Sequence, residues 1–144
     1  MSNVKVTARI TFLMLLAVWA GIVIGVSIIA TLAKFQAPSL SMPVGLEIGR
    51  YTFHLLSRVE LCFLIAAIVA AGIAPPRSIT LLLFLLVAVE IVVQRYWLLP
   101  VLDDRVSRIL AGGPISSSLH HQVYAVMEGV KSILLITACA MEYR

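Results

Sequence analysis

Apolar residues fill four long segments of the chain, and charged or turn-forming residues separate them. From Ile10 to Ala33 no charge occurs over 24 positions, enough helix to cross a hydrocarbon core of roughly 30 Å. Lys34 to Met42 (KFQAPSLSM) is turn-rich, and Ser41 followed by Pro43 reads as a helix start. The second segment is uncharged from Leu61 to Ala74 and is stopped by Pro75-Pro76. Its polar residues come early: Glu47, Arg50, His54 and Arg58 lie along one stripe, and Glu60 on another face. Only Arg77 and Ser78 intervene before the third segment, Ile79 to Leu99, so the two must run antiparallel side by side. Pro100 removes a backbone donor and disfavours helical geometry at Leu99, which predicts that the helix ends or kinks there. Asp103 to Ala111 has the period of a short amphipathic helix, and Gly112-Gly113-Pro114 closes it. Ser116 to Ser118 are placed to cap a last helix that runs to about Met141.

This pattern predicts an all-α fold: an integral membrane four-helix antiparallel bundle in one domain, residues 1–144, without strands. The expected spans are 10–33, 52–74, 79–99 and 120–141, with the short amphipathic helix between the third and fourth. Lys5 and Arg9 would suit a secretory signal, but the apolar run of a signal is only about 7–15 residues, so a retained first span is expected.

Composition narrows the solvent. Of 144 residues 61% are hydrophobic and 12% charged, against roughly 25% charged in soluble domains. With a mean hydropathy of +1.05, the chain is built for lipid. The net charge of +4 is spread singly between apolar runs, with no cluster to track a phosphate backbone, so the partner is a bilayer and not nucleic acid. Cys62 and Cys139 sit within apolar runs and read as small packing residues. A cell (inner) membrane location is expected. Lys5, Arg9, Arg77 and Arg144 on one side balance Lys34, Arg50, Arg105 and Arg108 on the other. Cytoplasmic termini therefore rest on the charges before the first span alone.

The polar residues inside the apolar segments all fall in one half of the bundle. They are His54, Arg58 and Glu60; Glu90, Gln94 and Arg95; and Tyr124, Glu128 and Lys131. Three acids (Glu60, Glu90, Glu128) face three bases (Arg58, Arg95, Lys131), which suggests mutual neutralisation. Such a set either fixes helix register or lines a wet cavity for a proton, an ion or a polar solute. Glu90, Gln94 and Trp97, at i, i+4 and i+7, share a helix face. Glu90, near the middle of its span, is expected to face inward and pair with a polar side chain of the second or fourth span, Lys131 first. On the first span Ala17, Gly21 and Gly25 recur every fourth residue, a face for close helix packing within the chain or to a partner. His54, His120 and His121 are candidates for metal or haem ligation, yet neither His-x-x-x-His nor Cys-x-x-Cys is present. No resident cofactor is expected. No nucleophile triad, phosphate loop or dinucleotide fingerprint appears, and no enzymatic activity is expected.

The run Gln94-Arg95-Tyr96-Trp97-Leu98-Leu99-Pro100 with Asp103 and Arg105, followed by Leu119-His120, Tyr124, Glu128 and Lys131, resembles a known family. It is the family of small uncharacterised four-helix membrane proteins that includes the animal transmembrane protein 205. The likeness covers roughly residues 10 to 141 and includes the small-residue face of the first span and Ala37-Pro38. It implies a four-helix membrane bundle and no catalytic residue. This chain is shorter than the animal protein between the third and fourth spans. The functional expectation is an accessory or scaffold subunit of a larger membrane assembly, with a protein partner or a homo-oligomer in the bilayer. The alternatives are a small carrier or channel using the polar cluster, or a His-ligated haem or metal protein.

Overall fold

The computed structural model describes residues 3–114 and 119–143. Four helices make up the fold: α1 (Asn3–Lys34), α2 (Met42–Ile73), α3 (Ser78–Leu110) and α4 (Leu119–Tyr143). Each is long and apolar enough to cross a membrane, and the described residues contain no strand. At 1.5 Å per residue the 32 residues of α2 reach about 48 Å, well beyond a hydrocarbon thickness. The helices therefore overrun the expected spans at their polar ends. The serines expected to cap α4, Ser116 to Ser118, lie outside the described residues.

Two ends can be told apart by what is joined there. At end A the buried Glu142 carboxylate, near the finish of α4, holds Arg9 of α1 at 2.8 Å. It also accepts the backbone N–H of Arg77, in the α2–α3 link, at 3.0 Å. At end B Arg50 of α2 donates to the Asp103 carbonyl and the Ser107 hydroxyl near the finish of α3, at 2.6 and 2.7 Å. Consecutive helices thus run antiparallel. Helix α1 packs along both α2 and α4, α4 packs along α3, and the last turns of α3 close against α2.

The core toward end A is dry. Phe12, Leu16, Trp19 and Val23 of α1 interlock with Phe84, Val87 and Ile91 of α3 and Leu135 of α4, and Phe12 meets Phe84 edge-on at 5.6 Å. Ala67, Ala70 and Ala138 keep α2 and α4 close to this layer. The outer surface is apolar too: Leu55, Val69, Leu82, Val89 and Ile133 are each more than half exposed.

Pro100 does not end the third helix. Residues Gln94–Leu98 form a π-helical turn, and the Leu99 N–H bonds the Gln94 carbonyl five residues back. The wider turn offsets the carbonyls that the proline ring would otherwise strike, so helix continues to Leu110. The amphipathic stretch after Pro100 is therefore the last third of α3, and not a separate helix. The extra residue also breaks the expected face: Glu90 and Gln94 point inward, but Leu98 takes the next inward place and Trp97 is 55% exposed. A second π-helical stretch, Ile24–Ala30, lies in α1, where the Thr31 hydroxyl takes up the Val26 carbonyl at 3.3 Å. Among the described residues no helix packs closely on the small-residue face of α1. Ala17 and Gly21 are exposed, and a Cβ added at Gly21 or Gly25 would meet nothing within 4 Å.

Candidate functional site: a buried carboxyl cluster on one lysine

All four helices contribute to one polar knot in the half of the bundle nearer end B. Its centre is Lys131 of α4, with no exposed surface. The ammonium donates to Glu60 Oε1 of α2 at 2.7 Å, Gln94 Oε1 of α3 at 2.6 Å and Glu128 Oε1 of α4 at 2.8 Å. A lysine has three N–H donors, so this one is saturated. The amide of Gln94 returns a bond to Glu128 Oε1 at 2.9 Å. Helix α1 closes the shell: the Trp19 indole donates to Glu60 at 3.2 Å and Ser27 to Glu128 Oε2 at 2.6 Å. Tyr124 is buried beside the same knot, in the layer on its end-B side. Both π-helical stretches belong to this site, one carrying Ser27 and the other opening at Gln94. Wide turns reorient side chains where regular helix would aim them elsewhere.

Saturation of Lys131 decides the fate of Glu90. Its side chain faces the interior, as expected, and is 8% exposed. The expected pairing with Lys131 is not made, because the three donors are already committed to Glu60, Gln94 and Glu128. Among the described residues Glu90 Oε1 is buried with no hydrogen-bond partner. It lies within Coulombic reach of Lys131 and Glu128 on α4 and Glu60 on α2.

Equal numbers of acids and bases do not neutralise one another here. Arg58 is exposed, and Arg95 is half-buried, its guanidinium donating to the Ser57 hydroxyl at 3.0 Å and not to a carboxylate of the knot. Both line an outer groove of α2 and α3 with His54 and Tyr96. The knot therefore holds, among the described residues, three carboxyl groups and one ammonium.

The three histidines are not brought together. His54 Nε2 bonds Asp103 Oδ2 at 2.7 Å, His120 lies edge-on to Trp97 with ring centroids at 6.3 Å, and His121 lines a cavity at end B. Among the described residues no three His, Cys, Asp or Glu side chains are grouped as a metal ion would need. Cys62 and Cys139 are free thiols, the latter directed at the Leu13 carbonyl at 3.8 Å.

A single apolar layer covers the knot on its end-B side. Phe53 packs on Tyr124 at 4.7 Å between centroids, with Leu98, Leu99 and Leu102 around them. Phe53, Leu99 and Leu102 also form the floor of the end-B cavity. The cavity is thus one side-chain layer from Glu128, while toward end A the dry core extends for several helical turns.

Sequence reasoning missed Trp19 and Ser27, which sit in an uncharged run that gave no sign of a polar contact. It also missed Glu142, whose place beside Arg9 and Arg77 needs the folded bundle.

Comparison of the chain with protein-family models, with curated proteins and with solved structures found no match to any of them.

Proposed function

We propose that this chain is a multi-pass membrane protein that takes up and releases protons at its buried carboxyl cluster, as a small proton-coupled carrier does. Membrane insertion is supported by the inversion of a soluble protein's pattern, with apolar side chains outside and charges at the centre. The observation that carries the proton reading is the surplus of acids: Glu60 and Glu128 hold the one ammonium of Lys131, and the buried Glu90 carboxyl beside them is left without it. A buried site with that surplus is charge-balanced when protons accompany the extra carboxyls, and protons need no coordination shell. The Glu90 carboxyl, without a hydrogen bond at Oε1, is the member with capacity to spare. The thin apolar layer at Phe53, Leu99 and Tyr124 supplies the short way to water.

Reconstitution in liposomes with an internal pH dye tests this. Wild type is expected to pass protons under an imposed potential, and Glu90→Gln to abolish the flux while leaving the helix content and melting temperature unchanged. Infrared difference spectra between acidic and alkaline buffer are expected to lose a carboxylic-acid band in the same variant. Wild-type vesicles that stay tight, together with identical spectra for the two proteins, would refute the reading.

The face of Ala17, Gly21 and Gly25, exposed at the first two and half-buried at the third, favours a second reading, an accessory subunit docked through α1. Gentle purification from the native membrane separates the two: a stoichiometric second protein supports the subunit, a homo-oligomer the carrier. Cytoplasmic termini in an inner membrane complete the proposal, as does kinship with the family that includes transmembrane protein 205, which rests on the residues quoted above.

A further inference from the structure

The end-B cavity has a composition that neither reading uses. Each helix supplies one basic side chain to its wall: Lys34 from α1, Arg50 from α2, Arg105 from α3 and His121 from α4. Asp103 is the one acid among the lining residues, and it is taken up by Arg50 and His54 at 3.6 and 2.7 Å. Lys34, Arg50 and Arg105 against Asp103 leave an excess of positive charge around a partly open cavity.

Two of the donors have capacity. Lys34 has no carboxylate partner among the described residues; its ammonium rests over the Phe35 ring, 4.7 Å from the centroid. Arg50 Nε is buried and makes no hydrogen bond, although it stands 3.6 Å from Asp103 Oδ1, while Nη2 donates to the Asp103 carbonyl and the Ser107 hydroxyl. Arg105 and His121 are engaged elsewhere as well and serve here as charge and wall. Backbone clears the space between Lys34 and Arg50: a Cβ at Gly49 would stand 3.2 Å from Lys34 Nζ. A Cβ at Gly45 would likewise stand 3.0 Å from the Phe35 ring.

The size is informative. The cavity measures about 40 Å³. At roughly 10–15 Å³ per water position that is room for about three waters, comparable with one tetrahedral oxyanion. An apolar wall of Leu46, Leu99 and Val106 flanks the charged one, so the site can seat a group that is anionic on one side and carbon on the other. Guanidinium and ammonium groups converging from separate helices are the donors that phosphate oxygens take. Basic pockets between spans are also where phospholipid headgroups are held.

We propose that the end-B cavity binds a phosphate-bearing anion, either inorganic phosphate or the phosphate of an acidic phospholipid headgroup, between Lys34 and Arg50.

The test uses the full chain in detergent and follows its thermal unfolding during titration with inorganic phosphate, with dispersed short-chain phosphatidylglycerol, and with phosphatidylcholine of the same chains. Stabilisation by inorganic phosphate identifies the free anion as ligand. Stabilisation by phosphatidylglycerol alone, exceeding that by phosphatidylcholine, identifies the headgroup. In either case Lys34→Gln is expected to weaken binding about fivefold, the loss of one interfacial cation. Lys34→Arg is expected to restore it. Among the described residues Lys34 is in no ion pair, so this variant is expected to keep its fold, which circular dichroism checks. No stabilisation by either phosphate compound overturns the proposal. So does a phosphatidylglycerol effect that phosphatidylcholine equals or that Lys34→Gln leaves unchanged.

Discussion

Replacing Lys131 with methionine removes an ammonium and leaves a side chain of similar length in the same space. Three acceptors then lose a charged donor: Glu60 at 2.7 Å, Gln94 at 2.6 Å and Glu128 at 2.8 Å. Hydrogen bonds to charged groups are worth about 1.5–3 kcal/mol each, so the gross loss is about 4.5–9 kcal/mol. Part returns, because Trp19, Ser27 and the Gln94 amide still donate to the two carboxylates. Breaking a buried pair from one side costs about 3–5 kcal/mol, and that is the net figure expected here. The cost comes from uncompensated acids, so removing them should restore stability: Lys131→Met with Glu60→Leu and Glu128→Leu is expected to regain most of the loss. Reversible unfolding in mixed micelles measures both variants, the single substitution lowering the folded-to-unfolded ratio more than a hundredfold at 1.4 kcal/mol per decade. A single variant that loses less than about 1 kcal/mol would refute a saturated network. A triple variant weaker than the single would show that the bonds from Trp19, Ser27 and Gln94 outweigh the uncompensated charge, and would refute this account of the cost.

Glu90→Leu is expected to be neutral or to stabilise by up to about 1 kcal/mol in the same assay, since its buried Oε1 has no partner to lose; a loss comparable with that of Lys131→Met would place it inside the network. Glu142→Ala should cost about 1–2 kcal/mol, the partly exposed Arg9 pair counting for little and the Arg77 backbone bond for more, and hydrogen exchange is expected to quicken in the α2–α3 link. Pro100→Ala is expected to change stability by less than about 1 kcal/mol, because the π-helical turn already accommodates the ring; a gain of 3 kcal/mol, roughly the cost of proline inside a regular helix, would mean that it does not. With both termini in the cytoplasm, a cysteine at Gln36, which is exposed in the α1–α2 link, reacts with an impermeant reagent added to intact cells, and one at Asn3 does not.

The number of helices, their turns and the inward set of the knot were legible because apolar run length and the 3.6-residue period are local properties. Ser41 with Pro43 and Pro75-Pro76 bracket α2 within two residues of where the chain turns. The passage through Pro100 was not legible: a π-helical turn depends on whether neighbouring helices reward an offset of one residue, and here Gln94 is rewarded by Lys131 and Glu128. The pairing rules were half legible. Glu60, Glu128 and Lys131 do meet, but counting charges along the sequence cannot reveal that Arg58 and Arg95 stay out of the knot or that one lysine runs out of hydrogens. Trp19 and Ser27 look like ordinary members of an apolar span until α2 and α4 supply their acceptors.

The wide turn in α3 has a mechanical consequence. A π-helical turn holds one residue more than the pitch of the surrounding helix requires, and that surplus can pass along the helix by exchanging one backbone hydrogen bond at a time. Everything between its old and new position then rotates by about 100° around the axis, while the helix beyond stays where it was. If the surplus moved toward end A past Gln94, Gln94 would swing away from Lys131 and one ammonium hydrogen would be released, while Leu98 and the residues after it kept their places. The turn would then act as a crank, changing the partner of Lys131 by a rotation of Gln94 while the Phe53–Leu99 layer beyond it stayed in place.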